Sequence, residues 1–234
     1  MLTVVIPAAG EGKRFTAAGY GPKPLIPVLG EPMLARVIKN LRPHGANRVV
    51  VVSRLDGKAV DALLKDDDVN IQLSEPTEGA VDTILKAKDY ITNGPLLIGN
   101  ADQLVGFDVN DFILAGQVLD GSIVTFASDR PHHSYVTVDM WGVVQEIAEK
   151  TVISNKAVCG VYYFRSGSDF LQYANQVISI DERYNGEHYV SSVISRMIAE
   201  GLSISTYDAP SAMLGTPAEL QLFEACAAVV KRTL

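Results

Sequence analysis

The sequence predicts an α/β fold that is built on a mostly parallel sheet. Short β-branched runs bounded by Pro or Gly alternate with segments of helical periodicity between residues 1 and 102. Beyond residue 120 the strand-like runs follow one another more closely, with turn residues between them. The alternating half is typical of parallel strands covered by helices, and the closer strands indicate an antiparallel addition that makes the sheet mixed.

Each element of the first half is recognised by its period and its stop signals. Buried strands are predicted at 2–7, 48–53, 69–73 and 95–102, and helices at 32–45, 57–68 and 79–91. Gly45 closes the first helix, and Asn93 with Gly94 closes the third. A long glycine-rich loop, residues 8–30, separates the first strand from the first helix.

The second half is predicted in the same way. Strands are expected at 121–128, 134–140, 142–149, 157–164 and 202–208, and helices at 167–179, 186–201 and 216–234. Thr216 stands at the N-cap of the last helix with Glu219 at the capping-box position. Because we find no repeat and no linker, we expect one domain over residues 1–234.

Composition and charge exclude several classes of protein. The hydrophobic fraction is 47%, the charged fraction is 20% and the net charge is −7, so a broad nucleic-acid surface is not expected, although a small anionic ligand needs only a few local cations. Two cysteines, Cys159 and Cys226, favour a reducing compartment. No run has the length of a membrane span, and the first residues lack a basic leader pattern. We expect a cytoplasmic protein with no membrane or nucleic-acid partner, and a homo-oligomer is compatible with the sequence.

The glycine-rich loop fails two common phosphate-binding fingerprints. A dinucleotide loop needs a glycine three residues after the second one, and Phe15 occupies that place after Gly12. A P-loop needs Ser or Thr after Gly-Lys, and here Arg14 follows Lys13.

The same loop nevertheless has the residues that a triphosphate needs. Glycines let backbone N–H groups approach phosphate oxygens closely. Arg14 offers a bidentate fork, and Lys23 a point charge whose backbone is restricted by Pro22 and Pro24. Lys13 is interpreted as an ordinary surface cation.

Three motifs in this region resemble those of the sugar-phosphate nucleotidyltransferases. They are "AAGEGKR" at 8–14, "PKPL" at 22–25 and "EPM" at 31–33. A later segment, "GEHYVSSVISRMIAEG", is similar to the small members linked to capsule and lipopolysaccharide precursors. The resemblance implies a Rossmann-like nucleotide-binding three-layer sandwich. It also implies catalytic roles for Arg14 and Lys23 on the triphosphate, and nucleotide contacts from Ala8, Ala9, Gly10 and Gly12.

Two further segments carry the resemblance. "EPTEGAVDTI" is similar to the family's base-recognition segment and implies nucleotide contacts at Glu75, Glu78 and Gly79. "EIAEKTVISNKAVCGVYYF" is similar to the sugar-phosphate segment, which implies that Glu149, Lys150 and Gly160 bind the acceptor.

Asp102 is the predicted metal ligand. It follows a buried strand, at the edge where parallel sheets bind ligands, and Mg²⁺ typically takes one or two carboxylates together with substrate phosphates. The resemblance implies a second Asp, but Met213 stands at that position. Three alternatives stay open: one carboxylate suffices, Asp208 or Glu187 substitutes, or the chain binds nucleotide with little turnover.

The resemblance implies a nucleotidyltransferase that condenses an NTP with a sugar 1-phosphate, with Mg²⁺ as cofactor. A phosphate monoester is largely dianionic near neutral pH, because its second pKa is about 6, so no general base is required. A cytidylyltransferase acting on a non-sugar phosphate, such as a phosphorylated amino alcohol, remains an alternative, as does a nucleotide-binding protein with little turnover.

Overall fold

The computed structural model describes residues 1–45 and 47–233, with side chains described to residue 228. The strands of this part are, in chain order, β1 (Leu2–Ala8), β2 (Pro27–Val28), β3 (Glu31–Pro32), β4 (Asn47–Ser53), β5 (Val69–Gln72), β6 (Leu96–Gly99), β7 (Gln103–Val105), β8 (Gly121–Ala127), β9 (Tyr135–Val138), β10 (Val144–Ala148), β11 (Lys156–Phe164), β12 (Ile204–Asp208) and β13 (Ser211–Met213).

The helices are α1 (Lys13–Ala17), α2 (Met33–Leu41), α3 (Gly57–Asp61), α4 (Ala80–Leu85), α5 (Val109–Gly116), α6 (Gly167–Ser179), α7 (Val190–Ala199) and α8 (Pro217–Thr233). Short 3₁₀ turns lie at Lys23–Leu25 and Lys88–Tyr90. Within the described residues, none of the helices combines the length and the hydropathy that crossing a membrane requires.

The central sheet confirms the predicted mixed architecture. β5, β4, β1 and β6 pair side by side in parallel. β11 then runs antiparallel to β6 and pairs with both β8 and β9, while β10 extends the edge beyond β9 and β12 pairs in parallel with β8. The parallel half therefore comes from the alternating part of the sequence, and the antiparallel half from its closely spaced strands.

Helices cover both faces of the sheet. Along β1, Val4 and Ile6 face the core that includes the buried residues of α2 and α5, whereas Val5 faces the core under α4, α6 and α7. Successive side chains of a strand point to opposite faces, so a continuous apolar strand supplies two cores at once. The result is the three-layer sandwich that the resemblance implied.

A smaller apolar cluster fixes the glycine-rich loop to the rest of the molecule. Phe15 of α1 is fully buried against Ile26, Met33 of α2, and Leu214 and Leu220 near the start of α8. Burying a Phe side chain contributes about 1.5–3 kcal/mol, so the loop is held at this point.

Several elements differ from the prediction. α5, β7 and β13 lie in segments where no element was predicted, although Asp108 caps α5 by accepting from the Asn110 amide at 2.8 Å. α7 begins at Val190 rather than at 186, because the preceding residues pair with the backbone near Gly79. The predicted cap of α8 is confirmed, since the Glu219 amide donates to Thr216 Oγ1 at 3.2 Å. Leu234, the last residue of the predicted helix, lies outside the described residues.

Candidate active site

A cavity of about 320 Å³ lies beyond the carboxyl ends of β1 and β6, where parallel sheets hold their ligands. Its walls come from the glycine-rich loop, from the segment around α4 and from the end of β6. Its lining residues include Ala8, Ala9, Gly10, Gly12, Lys23, Thr77, Gly79, Ala80, Thr83, Asn100, Asp102 and Glu187. This first cavity therefore contains most of the residues that the sequence assigned to the nucleotide.

Gly12 brings the two ends of the glycine-rich loop together. Its φ is +61°, a left-handed conformation that favours glycine, and it is the N-cap of α1. A Cβ at this position would lie 3.1 Å from the Cβ of Lys23. The absence of a side chain thus lets Lys23 pack against the loop and reach the cavity.

The other two cations of the loop point elsewhere. Arg14 is exposed on α1 and is not among the residues that line the cavity. Lys13 is also exposed and contacts Glu11 at 2.5 Å, as expected for a surface cation. The structure brings Lys23 to the site but not Arg14.

Lys23 forms an ion pair with Asp102. Lys23 Nζ contacts Asp102 Oδ2, and the two side chains are 19% and 27% exposed. Asp102 follows β6, and its carbonyl oxygen accepts from the amide of Leu214 at 2.7 Å. A cation from the loop and an anion from the sheet edge therefore meet at the wall of one cavity.

The predicted base-recognition segment is only partly in the site. Gly79 lines the first cavity, but Glu75 is exposed and the Glu78 carboxylate turns outward to Arg183 at 2.7 Å. The polar groups that this segment supplies are instead the hydroxyls of Thr77 and Thr83, which lie 2.6 Å apart.

A strand-like contact holds Gly79 against His188. The amide of His188 donates to the Glu78 carbonyl at 2.8 Å, and the Val81 amide donates to the His188 carbonyl at 3.2 Å. Gly79 has φ +127°, and a Cβ there would lie 2.5 Å from His188 N. The segment before α7 is thus fastened to the wall of the first cavity.

A second cavity, of about 180 Å³, adjoins the first. The two share Ala80 and Asn100 as lining residues. Glu149, Lys150 and Gly160, the three predicted acceptor residues, all line the second cavity, as does Met213. The structure therefore brings these three residues together beside the first cavity.

Hydrogen bonds hold the carboxylate of Glu149 in place. Its Oε2 accepts from Ser134 Oγ at 2.5 Å and from Ser191 Oγ at 2.7 Å. The neighbouring residue, Lys150, has φ +49°, a conformation that costs a residue with a side chain about 1–2 kcal/mol. Backbone strain of this kind persists only where surrounding contacts maintain it.

The two candidates for a second carboxylate lie in different places. Glu187 lines the first cavity together with Asp102. Asp208 accepts from Thr125 Oγ1 at 2.6 Å and contacts Lys156 at 2.5 Å, and with Lys156 it lines a separate cavity that does not include Asp102. Only Glu187 is therefore positioned to share a ligand with Asp102.

The carboxylates of the first cavity fit a magnesium site that is completed by substrate phosphates. Within the described residues no group of three or more His, Cys, Asp or Glu side chains could hold a metal ion. Two carboxylates on one cavity wall, Asp102 and Glu187, match the way in which Mg²⁺ binds through one or two carboxylates and substrate phosphates.

Several residues of the two cavities were not found from the sequence. Asn100 lines both cavities. Its position at the end of a strand, two residues before Asp102, is the sequence signal that could have identified it as a site residue. Ser134 lies outside the motifs, whereas Tyr189 and Ser191 lie in the segment 186–201 that is similar to the small family members, but the resemblance assigned no role to either of them. His133 also lines the second cavity, where burial and, to a smaller extent, the neighbouring His132 lower its pKa to about 4.

Comparisons with known families place the chain among NTP transferases. A family model described as the MobA-like NTP transferase domain matches residues 4–155. The bifunctional protein GlmU of Ralstonia nicotianae is 27% identical over 233 residues, which cover 95% of this chain and 50% of that protein. GlmU of Aromatoleum aromaticum is 38% identical over 97 residues, or 42% of this chain and 21% of that protein. The chain spans about half the length of the GlmU relatives that it matches over nearly all of its own length.

Solved structures share the fold. A nucleoside-diphosphate-sugar pyrophosphorylase from Vibrio cholerae superposes with a TM-score of 0.81 at 23% identity, covering 95% of this chain and 99% of that one. A UDP-glucose pyrophosphorylase complexed with UDP-glucose gives a TM-score of 0.81 at 14% identity, covering 97% and 98%. HddC from Yersinia pseudotuberculosis gives 0.70 at 21% identity, covering 97% and 100%.

Proposed function

We propose, since the chain belongs to the MobA-like NTP transferase domain family, that it condenses an NTP with a sugar 1-phosphate to give an NDP-sugar and pyrophosphate. The names of its structural neighbours support the sugar acceptor, because they include a nucleoside-diphosphate-sugar pyrophosphorylase and a UDP-glucose pyrophosphorylase. In this proposal the first cavity holds the NTP and the second holds the sugar phosphate.

One observation carries the proposal. The cavity lined by the glycine-rich loop and the cavity lined by Glu149 and Lys150 share the residues Ala80 and Asn100. A bimolecular transfer needs its two substrates in adjacent sites, because positioning replaces much of the entropy cost of their encounter.

The acceptor phosphate supplies its own nucleophile. A phosphate monoester carries nearly two charges at pH 7, and one of its oxygens attacks the α-phosphorus while pyrophosphate leaves. No residue has to remove a proton in this step. The pKa of His133, which burial lowers to about 4, agrees with that, because a ring of such low basicity on the second cavity is a poor general base.

Charge stabilisation falls to two lysines in this scheme. Lys23, at the wall of the first cavity, stabilises the charge that develops toward the leaving pyrophosphate. Lys150, on the second cavity, neutralises the acceptor phosphate and keeps it beside the α-phosphate. Glu149 accepts hydrogen bonds from the sugar hydroxyls through the lone pairs that Ser134 and Ser191 leave free.

Asp102 and Glu187 would hold Mg²⁺ when nucleotide is bound. The ion supplies charge neutralisation on the phosphates. Asp102 meanwhile orients Lys23 through their ion pair, so that the ammonium is aimed along the cavity wall before substrate arrives.

The contacts of Lys150 favour a sugar phosphate over a phosphorylated amino alcohol. Aromatic faces are common binding sites for quaternary ammonium groups. Here the rings of Tyr184 and Tyr189 lie 5.4 and 4.3 Å from Lys150 Nζ. The protein's own ammonium thus already lies against these two rings, which disfavours a choline-like headgroup there. A nucleotide-binding protein with little turnover is the second candidate, because Met213, which cannot ligate Mg²⁺, lines the second cavity.

Pyrophosphate release from a matrix of NTPs and phosphorylated acceptors tests the proposal. Release that requires both an NTP and a sugar 1-phosphate supports the proposal. Release that occurs with an NTP and phosphorylated amino alcohols, but with none of the sugar 1-phosphates, would favour the cytidylyltransferase alternative instead. Tight NTP binding without pyrophosphate release from any pair would favour the nucleotide-binding protein with little turnover.

Two free cysteines and nucleoside triphosphate substrates agree with a cytoplasmic location.

A further inference from the structure

Lys150 is held by Tyr189, a residue to which the sequence motifs assign no role. Lys150 Nζ donates to the hydroxyl of Tyr189, and the same hydroxyl donates to Glu187 Oε2 at 2.5 Å. Tyr189 lines the second cavity and Glu187 lines the first. A chain of two hydrogen bonds therefore joins the acceptor lysine to the wall of the nucleotide cavity.

We propose that Tyr189 is a positioning residue, which aims the Lys150 ammonium at the acceptor phosphate through the chain Lys150–Tyr189–Glu187. The inference deepens the proposed function and rests on it for the identity of the acceptor. The geometry of the chain itself is independent of which phosphate binds.

The chemistry of the hydroxyl fits this position. A phenol has one proton to donate and lone pairs to accept, which is the combination that a carboxylate on one side and an ammonium on the other require. The hydroxyl therefore has a fixed direction, toward Glu187 as donor and toward Lys150 as acceptor.

The backbone on both sides of the chain is fixed. Lys150 has φ +49°, so the backbone is strained at the residue that carries this side chain. On the other side, His188 is hydrogen-bonded to Glu78 and Val81, which places Tyr189 relative to the wall of the first cavity. Hydrogen bonds to a charged group contribute more than neutral ones, so the chain can hold a long, flexible lysine in one direction.

Tyr189→Phe is the test, since it keeps the ring and removes only the hydroxyl. We expect the KM for the sugar 1-phosphate that turns over best to rise about tenfold or more, the scale for losing a hydrogen bond to a charged group. The KM for the NTP should change less than twofold. In a Lys150→Met background, Tyr189→Phe should add no further loss, because nothing is left to position. Tyr173→Phe, on α6 and lining neither cavity, is the matched control and should leave both constants unchanged.

A second readout needs no turnover. The rate at which an N-hydroxysuccinimide ester acylates Lys150 is measured by mass spectrometry in the substrate-free protein, with Lys86 as the internal reference. Tyr189→Phe should accelerate labelling of Lys150 several-fold and leave Lys86 unchanged. An unchanged labelling rate, or equal rises in both KM values with a lower Tm, would overturn the positioning role. If the unsubstituted protein turns over no pair of substrates, the proposed function fails, while the labelling rates still decide the role of Tyr189.

Discussion

Lys23 and Asp102 form an ion pair that joins the glycine-rich loop to the end of β6. The two residues are 79 positions apart in the chain, and each is mostly but not fully shielded from solvent. Both residues line the first cavity, so in the proposed function the phosphate chain and its metal ion would contact this pair. Lys23 would then contact the phosphate, and Asp102 would bind the metal ion.

Replacing Lys23 by Ala should lower kcat by about 10²–10³, the scale for losing one contact to charge that develops in the transition state. Lys13→Ala is a matched control, because Lys13 belongs to the same loop but is exposed and paired with Glu11. Initial rates at saturating substrates measure both. A Lys23→Ala protein with normal kcat would show that the ion pair has no part in the chemistry.

The metal requirement should identify the second carboxylate. Glu187→Gln should raise the Mg²⁺ concentration that gives half-maximal turnover, because Glu187 lines the cavity with Asp102. Asp208→Asn should leave that concentration unchanged, since Asp208 is bound to Lys156 and Thr125 elsewhere. Addition of EDTA should abolish turnover of the unsubstituted protein. The opposite order of the two variants would assign the metal to Asp208 through a rearrangement of β12.

The residues that could be predicted share one property: they lie in continuous stretches. The glycines of the loop, Lys23 and Asp102 each stand in a short motif at a strand end, and the structure brings them to one cavity. Arg14 stands in the same motif, yet a single turn of helix directs it into solvent. Local sequence places the backbone of a loop better than it places the direction of each side chain.

Contacts between distant parts of the chain escaped prediction. Glu149 is held by Ser134 and Ser191, which come from a loop and from a helix far along the chain. Glu78 was assigned to the nucleobase from its segment alone, but Arg183 attracts its carboxylate outward. The fold was more accessible than the site because its strands and helices follow local periodicity, whereas these pairs appear only after the sheet has formed.

Gly160→Ala should separate backbone strain from collision at the second cavity. Gly160 has φ +87°, and a Cβ there would lie 2.2 Å from Asn100 Nδ2 and 2.8 Å from Gln103 Oε1. Gly201 has φ +90° with nothing within 4 Å, so Gly201→Ala introduces strain alone, about 1–2 kcal/mol. Urea unfolding should show a larger loss for Gly160→Ala, and only that variant should raise both KM values, because Asn100 lines both cavities. Equal losses of stability and unchanged KM values would show that Asn100 moves aside without consequence.

Asp68 should make the free energy of unfolding depend on pH in the acid range. Its side chain is 1% exposed, contacts Arg42, and accepts from the amides of Lys65 at 2.8 Å and Val49 at 2.9 Å. Burial alone would raise the pKa of this carboxyl, but the Arg42 guanidinium and the two amides outweigh burial and lower it. The unfolded chain therefore binds the proton more readily than the folded one. The stabilisation is complete above the unfolded pKa of about 4 and is lost as the pH falls through the lower folded value.

Asp68→Asn measures this contribution directly. At pH 7 it should cost about 3 kcal/mol, because Arg42, itself only 14% exposed, is left without its anionic partner. The cost should shrink as the pH drops below about 4, since the Asp68 protein then loses the same interaction by protonation. Lys39→Ala, which removes the partner of the exposed Glu31, should change neither the stability nor its pH dependence appreciably. Denaturant melts of the three proteins between pH 3 and pH 7 test the assignment. A cost for Asp68→Asn that stays constant over this range would mean that the Asp68 carboxyl is held by packing and not by its charge.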